Sequence, residues 1–175
     1  MALVWTQPES ISNGFARARR MYPVDHEDVL SEVDQFCNAL IAAASRVQCL
    51  LVTTWRLPAE LRGYGMLERR SGLGLRSLIA RMNEHLAKRL EWDDNIFVLD
   101  VDPWFECKNP IDTTMWYMAK VPFSNEVFKA AIDDVKAALR GVLGKTRRVL
   151  ICDLDDTLWG GTVGDDGWEN LRLGG

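Results

Sequence analysis

The stretch Val47-Gln48-Cys49-Leu50-Leu51-Val52-Thr53-Thr54-Trp55 decides the fold. It is apolar and β-branched, without the polar alternation of a half-solvated strand, and parallel strands show this pattern when both of their faces are covered. It reads as a central strand whose neighbours in sequence are the helices that cover it. Upstream, Asp25 or a residue beside it can cap a helix running to about Ser45, with Val29, Leu30, Val33, Phe36, Cys37, Leu40 and Ile41 at helical spacing. Downstream, Leu57 to Gly74 is rich in Gly, Pro and Arg and reads as a long surface loop. Leu75, Leu78, Ile79, Met82, Leu86 and Leu90 then mark a second amphipathic helix.

Further out, the buried-strand pattern returns at Asn95-Ile-Phe-Val-Leu-Asp100. A short apolar run, Ala2-Leu-Val-Trp5, meets Thr6-Gln7-Pro8-Glu9 and reads as a strand entering a loop. A polar, aromatic connection through Trp104, Asp112 and Trp116 leads to Ser124, which caps a helix carrying Val127, Phe128, Ala131, Ile132, Val135, Leu139 and Val142. Gly141 and Gly144 help stop that helix, and Arg148-Val-Leu-Ile-Cys152 forms a last buried strand. Strands alternating with helices predict right-handed crossovers, and so an α/β fold with a parallel sheet flanked by helices on both faces. The expected domain boundary lies near Gly144-Lys145-Thr146.

Composition narrows the function classes. The chain has 175 residues, of which 47% are hydrophobic and 26% charged, enough apolar material to bury a core. Its net charge of -4, with only short basic clusters at Arg17 to Arg20 and Arg69-Arg70, argues against nucleic acid as a partner. No apolar run approaches the ~20 residues that span a bilayer, and the N-terminus lacks the basic and apolar regions of a signal peptide. Cys37, Cys49, Cys107 and Cys152 have no CxxC spacing and only His26 and His85 could assist them, so neither zinc nor a disulfide is expected, and Cys37, Cys49 and Cys152, in apolar contexts, read as buried free thiols in a reducing cytoplasm. Each histidine reads as a surface or capping residue.

Chemistry enters at Asp153-Leu154-Asp155-Asp156-Thr157, directly after the last apolar run. In open α/β sheets ligands collect beyond the carboxyl ends of strands, and two aspartates two residues apart share one side of a continuing strand or one mouth of a turn. One carboxylate can attack a phosphoryl group, and its neighbour can protonate the leaving oxygen and then activate water. Mg²⁺ would suit such a site, because it favours one or two carboxylates together with phosphate oxygens and water. The bland alternative is a solvated turn, where aspartate is favoured in any case.

The apolar strand followed by Asp153-x-Asp155-x-Thr157 resembles the first motif of the haloacid-dehalogenase (HAD) superfamily. The resemblance implies that Asp153 is the nucleophile and a metal ligand, that Asp155 is the general acid/base and also meets the Mg²⁺, and that Thr157 supports the turn. The continuation Leu158-Trp159-Gly160-Gly161, followed by Gly164-Asp-Asp-Gly167-Trp168-Glu169-Asn170, is similar to the flap of subfamily IIIC, the FkbH-like proteins. Trp116 to Asn125 and Gly65-Met66-Leu67 also look like the domain that precedes catalysis in longer members. This implies a phosphorylated three-carbon substrate whose glyceryl unit is loaded onto an acyl carrier protein for polyketide-type biosynthesis.

On that resemblance, residues 1-145 form an SGNH-hydrolase-like, flavodoxin-like domain and residues 146-175 the first strand and flap of a HAD Rossmann-like domain. The superfamily also needs a later Ser or Thr, a Lys or Arg and a further acidic pair, so the 175 residues alone are expected to be an inactive front portion of the enzyme. The Gly-Asp-Ser and Asp-x-x-His motifs of SGNH hydrolases are missing, Asp112 having no histidine after it, and the early start of the first strand suggests that the nucleophile-bearing strand is lacking. An uncovered sheet edge is then expected. The alternative function is a non-catalytic interaction module: Trp5, Trp55, Trp104, Trp116 and Tyr117 could line a crevice, although aromatics in such connections more often pack in the core or the loops, and the arginines of Arg62 to Arg70 could meet an acidic partner.

Overall fold

The computed structural model describes residues 1–57, 61, 63–119, 121, 123–145, 159–161, 163–170 and 172–173. They fall into two compact units, Met1–Val135 and Lys136–Gly175.

In the first unit, β1 (Ala2–Val4), β2 (Leu50–Thr53) and β3 (Ile96–Leu99) form a parallel sheet in the order β1-β2-β3. Leu50 stands opposite both Ala2 and Ile96 in the register, and β2 is buried at all four positions. The expected α/β architecture and its central strand are therefore present. Among the described residues, β1 and β3 are the sheet edges.

Two helices cover one face of the sheet, α3 (His26–Ala44) and α4 (Leu75–Leu90). As expected, Asp25 caps α3, its side chain accepting the Glu27 N–H at 2.9 Å. At the far end of α3, the Asn95 side-chain amide donates to the carbonyls of Ala44 (3.0 Å) and Val47 (3.2 Å), groups that a helix end leaves without partners. Val29, Val33, Cys37, Leu40, Leu78, Met82 and Leu86 meet Leu50, Val52 and Ile96 in one aliphatic core. Charged pairs border the helix–helix seam: Asp34 Oδ1 accepts from His85 Nε2 (2.9 Å) and Arg89 Nε (2.8 Å), and Arg81 Nη2 reaches Glu27 Oε1 (2.6 Å).

Where a loop was expected after β1, Pro8 opens a short helix, α1 (Pro8–Ile11), followed by α2 (Asn13–Arg19). Proline suits a first helical turn because its missing N–H would have no partner there. Ser12 caps α2 by accepting the Phe15 N–H at 2.8 Å, and its hydroxyl donates to Glu32 of α3, tying the pair to the core. The connection after β3 also contains more helix than its polar sequence suggests, a 3₁₀ turn at Asp102–Phe105 and α5 (Thr113–Ala119).

The other face of the sheet is aromatic. Trp5, Leu99, Val101, Trp104, Phe105 and Phe123 pack with Val127 and Ala131 of α6 (Asn125–Val142). Trp5 lies parallel to Phe123 at 5.2 Å and meets Trp104 edge-on at 5.0 Å. The Trp104 indole N–H donates to Asp134 at 2.8 Å. Toward the opposite end of this face Phe97 is 38% and Leu3 40% exposed.

In the second unit, β4 (Trp159–Gly160) pairs antiparallel with β5 (Arg172–Leu173), and between them lie α7 (Val163–Asp166) and a 3₁₀ turn at Trp168–Asn170. Gly161 has φ 110° and Gly167 φ 74°, backbone that favours glycine at these two bends. The expected strand Arg148–Cys152 lies outside the described residues.

Candidate functional site

The residues expected to carry the chemistry divide sharply. Asp153, Asp155 and Thr157 lie outside the described residues. Gly160 is exposed in β4 and Gly161 half-buried at the bend after it, so the glycine-rich stretch forms a short ribbon. Among the described residues, no group of three or more His, Cys, Asp and Glu side chains is placed to hold a metal ion.

At the carboxyl edge of the three-stranded sheet, each strand delivers a polar or aromatic residue. After β1 come Trp5 and Thr6, after β2 Thr54, Trp55 and Arg56, and after β3 Asp100 and Asp102. The Thr54 hydroxyl accepts the Val101 N–H at 3.1 Å and faces Asp100 Oδ1 at 3.4 Å, while Asp100 also accepts the Asp102 N–H at 3.1 Å. Arg56 lies 3.5 Å from Asp102 and 4.2 Å above the centre of the Phe105 ring. Asn83 of α4 closes both hydrogen bonds of the Trp55 backbone, accepting its N–H at 2.8 Å and donating to its carbonyl at 2.7 Å.

These contacts fix loops against one another but assemble no nucleophile with a base. Trp55 and Trp104 are 3% and 2% exposed, so they fill the core and do not line an open crevice. Tyr117 is exposed, and the Trp116 side chain lies outside the described residues. No histidine reaches this edge: His85 pairs with Asp34 on the helical face, and His26 begins α3.

His26, expected as a surface or capping residue near a helix start, is the first residue of α3 and is buried rather than exposed, beside an open cavity of about 550 Å³ that includes Arg81 and Gly72. Burial lowers its pKa below the usual 6.5, and the Arg81 guanidinium, 3.5 Å from Nδ1, lowers it further against the raising effect of Asp25 and Glu27. With Arg81 facing Asp25 and Glu27, the cavity has no excess of positive charge with which to select a phosphate. Cys37 and Cys49 are buried free thiols and Cys107 is half-buried and free, while Cys152 lies outside the described residues. Burial raises the Cys37 thiol to about 11, which keeps it protonated and unreactive near neutral pH.

Sequence reasoning missed Glu68. It is 6% exposed within the Gly-rich loop, and its carboxylate accepts the backbone N–H groups of Tyr64 and, at 3.0 Å, Arg76. Its own carbonyl accepts the Ser77 N–H at 3.0 Å. A Cβ on Gly74 would stand 1.9 Å from that carbonyl oxygen, so only glycine lets the chain pass there. The available signal was a lone acid inside Gly65-Met-Leu-Glu68-Arg-Arg-Ser-Gly72, a charge without an evident partner.

No family model matches the chain, and no curated protein does. Among solved structures it is similar to the N-terminal part of the protein BF1531 from Bacteroides fragilis, which contains a phosphatase domain and was crystallised in complex with Mg. The TM-score is 0.69 at 17% identity, covering 99% of this chain and 45% of that one. The chain therefore spans less than half the length of that structure, and the likeness establishes the α/β fold. No helix among the described residues is long and apolar enough to cross a membrane.

Proposed function

We propose that these residues are the front portion of a HAD-type, Mg²⁺-dependent phosphatase or phosphotransferase of the FkbH-like kind. The observation that carries the reading is the motif Asp153-Leu-Asp-Asp-Thr157 in a chain whose fold follows, over 99% of its length, a protein with a phosphatase domain crystallised with Mg. In this reading the Asp153 carboxylate attacks the phosphorus of a phosphorylated three-carbon substrate. Asp155 protonates the leaving oxygen and then takes a proton from the water that cleaves the aspartyl-phosphate. Two closely spaced carboxylates are hard oxygen donors of the kind Mg²⁺ takes, and the ion would offset the negative charge of the phosphate. The glyceryl unit would pass to an acyl carrier protein.

Residues 1-145 are assigned an SGNH-like but non-catalytic role, and the packed aromatic edge, with no Ser–His pair among the described residues, favours this reading. That unit would bind and position a partner while residues 146-175 begin the catalytic domain.

The test is phosphate release from a phosphorylated glyceryl compound by the full gene product that contains these residues, with and without Mg²⁺ and with Asp153→Asn. Mg²⁺-dependent release that disappears in the variant supports the assignment, whereas release unchanged by Asp153→Asn refutes it. The 175-residue polypeptide by itself is expected to be inactive, and turnover by it that requires Asp153 would overturn that part.

A further inference from the structure

We propose that the loop from Gly63 to Arg76 is a preorganised docking surface for an acidic partner protein, with Met66 as its apolar anchor and Arg69 and Arg70 as its charged flank. Three observations converge on it. The first is exposure: Met66 is fully exposed, and Leu67 and Leu73 are 41% and 38% exposed, in one short segment. Clustered apolar exposure of this kind marks interaction sites more than chance does, and methionine adapts readily to a partner's surface.

The second is charge. The chain as a whole is acidic, with 25 Asp and Glu against 21 Lys and Arg, yet this loop presents Arg69 and Arg70 exposed and Arg76 half-exposed. Its one acid, Glu68, is turned inward onto backbone N–H groups and does not neutralise them. Among the described residues none of the three arginines forms an ion pair. A cationic patch of this kind attracts a partner of negative charge.

The third is construction. Gly63, Gly65 and Gly72 take φ values of 49°, 59° and 80°, and a 3₁₀ turn at Gly65–Leu67 lifts Met66 away from the body of the fold. Glu68 pins both ends of the segment through Tyr64 and Arg76. A loop ordered before binding loses less conformational entropy when the partner arrives, so the buried carboxylate serves recognition at a distance from it.

This inference rests on the proposed function for its occupant, an acidic acyl carrier protein. Binding of the purified 175-residue chain to an acidic acyl carrier protein from the same organism is measured by titration at low and high salt, for the wild type, for R69E/R70E and for Met66→Ala. Saturable binding that weakens with salt and falls roughly tenfold in R69E/R70E supports the surface. Absence of binding, or equal affinity in wild type and R69E/R70E, overturns it. Glu68→Ala should lose comparable affinity and gain protease cleavage within the loop while keeping both arginines; affinity unchanged despite such cleavage would overturn the preorganised part. Because the readout is binding to a chain expected to be inactive, loss of the docking surface and failure of the Asp153 assignment remain distinguishable.

Discussion

The two faces of the three-stranded sheet are built on different principles. The α3–α4 face is mainly aliphatic and regular, with Val33, Met82 and Leu86 at 0% exposure, the rings of Phe15 and Trp55 buried within it, and ion pairs confined to the rim of the helix seam. The α6 face is aromatic and irregular, held by ring contacts and by single hydrogen bonds such as Trp104 to Asp134. The lesson is a division of labour: the first face supplies stability through buried area, while the second arranges the connections that leave the carboxyl edge of the sheet.

That comparison can be broken by substitution. The largest effect should come from the aliphatic face, where Met82→Ala removes a fully buried side chain and should cost ~2–5 kcal/mol, read as a fall in denaturant midpoint at constant m-value. Trp104→Phe keeps most of the ring but leaves Asp134 without its indole donor, and should cost about 1–3 kcal/mol. If the order of these two costs is reversed, the aromatic face is the structural one and the division fails.

A smaller effect sharpens the picture of the helical face. His26 has a folded-state pKa held below 6.5, first by burial and then by Arg81. Below that pH the unfolded chain takes up a proton that the folded chain resists, so stability should fall as pH drops from 6.5 toward the folded-state value. His26→Asn should remove this part of the slope in equilibrium unfolding curves; an identical slope would show that His26 charges freely in the fold. Smallest of all, Phe97→Thr on the exposed part of the aromatic face should change stability by less than about 1 kcal/mol. A larger loss would mean that Phe97 is covered in solution.

The same division explains what could be read from the sequence. Periodicity located α3, α4 and the two long strands to within a few residues, because a repeating apolar stripe facing a sheet is visible along the chain. Ser124 also stands directly before α6, but its buried hydroxyl has no hydrogen-bond partner among the described residues, so the expected side-chain cap is not formed. Helices of four to seven residues, α1, α2 and α5, are too short to display a period, although Pro8 and Ser12 carried start signals that a reading weighted toward apolar spacing passed over. The ring contacts of Trp104 depend on Trp5, far away in sequence, and the inward turn of Glu68 depends on backbone N–H groups of Tyr64 and Arg76 that only the folded loop presents to it. Local pattern cannot supply these. For the aspartate motif the asymmetry runs the other way: the sequence is specific at Asp153 and Asp155, which lie outside the described residues.

The central claim is that Asp153 performs phosphoryl transfer in the protein to which these residues belong. The most direct measurement is acid-stable, hydroxylamine-labile phosphate incorporated into the full gene product on mixing with a phosphorylated glyceryl compound and Mg²⁺, with the labelled peptide identified by mass spectrometry. The account predicts a phosphate on Asp153, absent in Asp153→Asn and trapped longer in Asp155→Asn. A phosphate found on another residue, or turnover that survives Asp153→Asn, would contradict it.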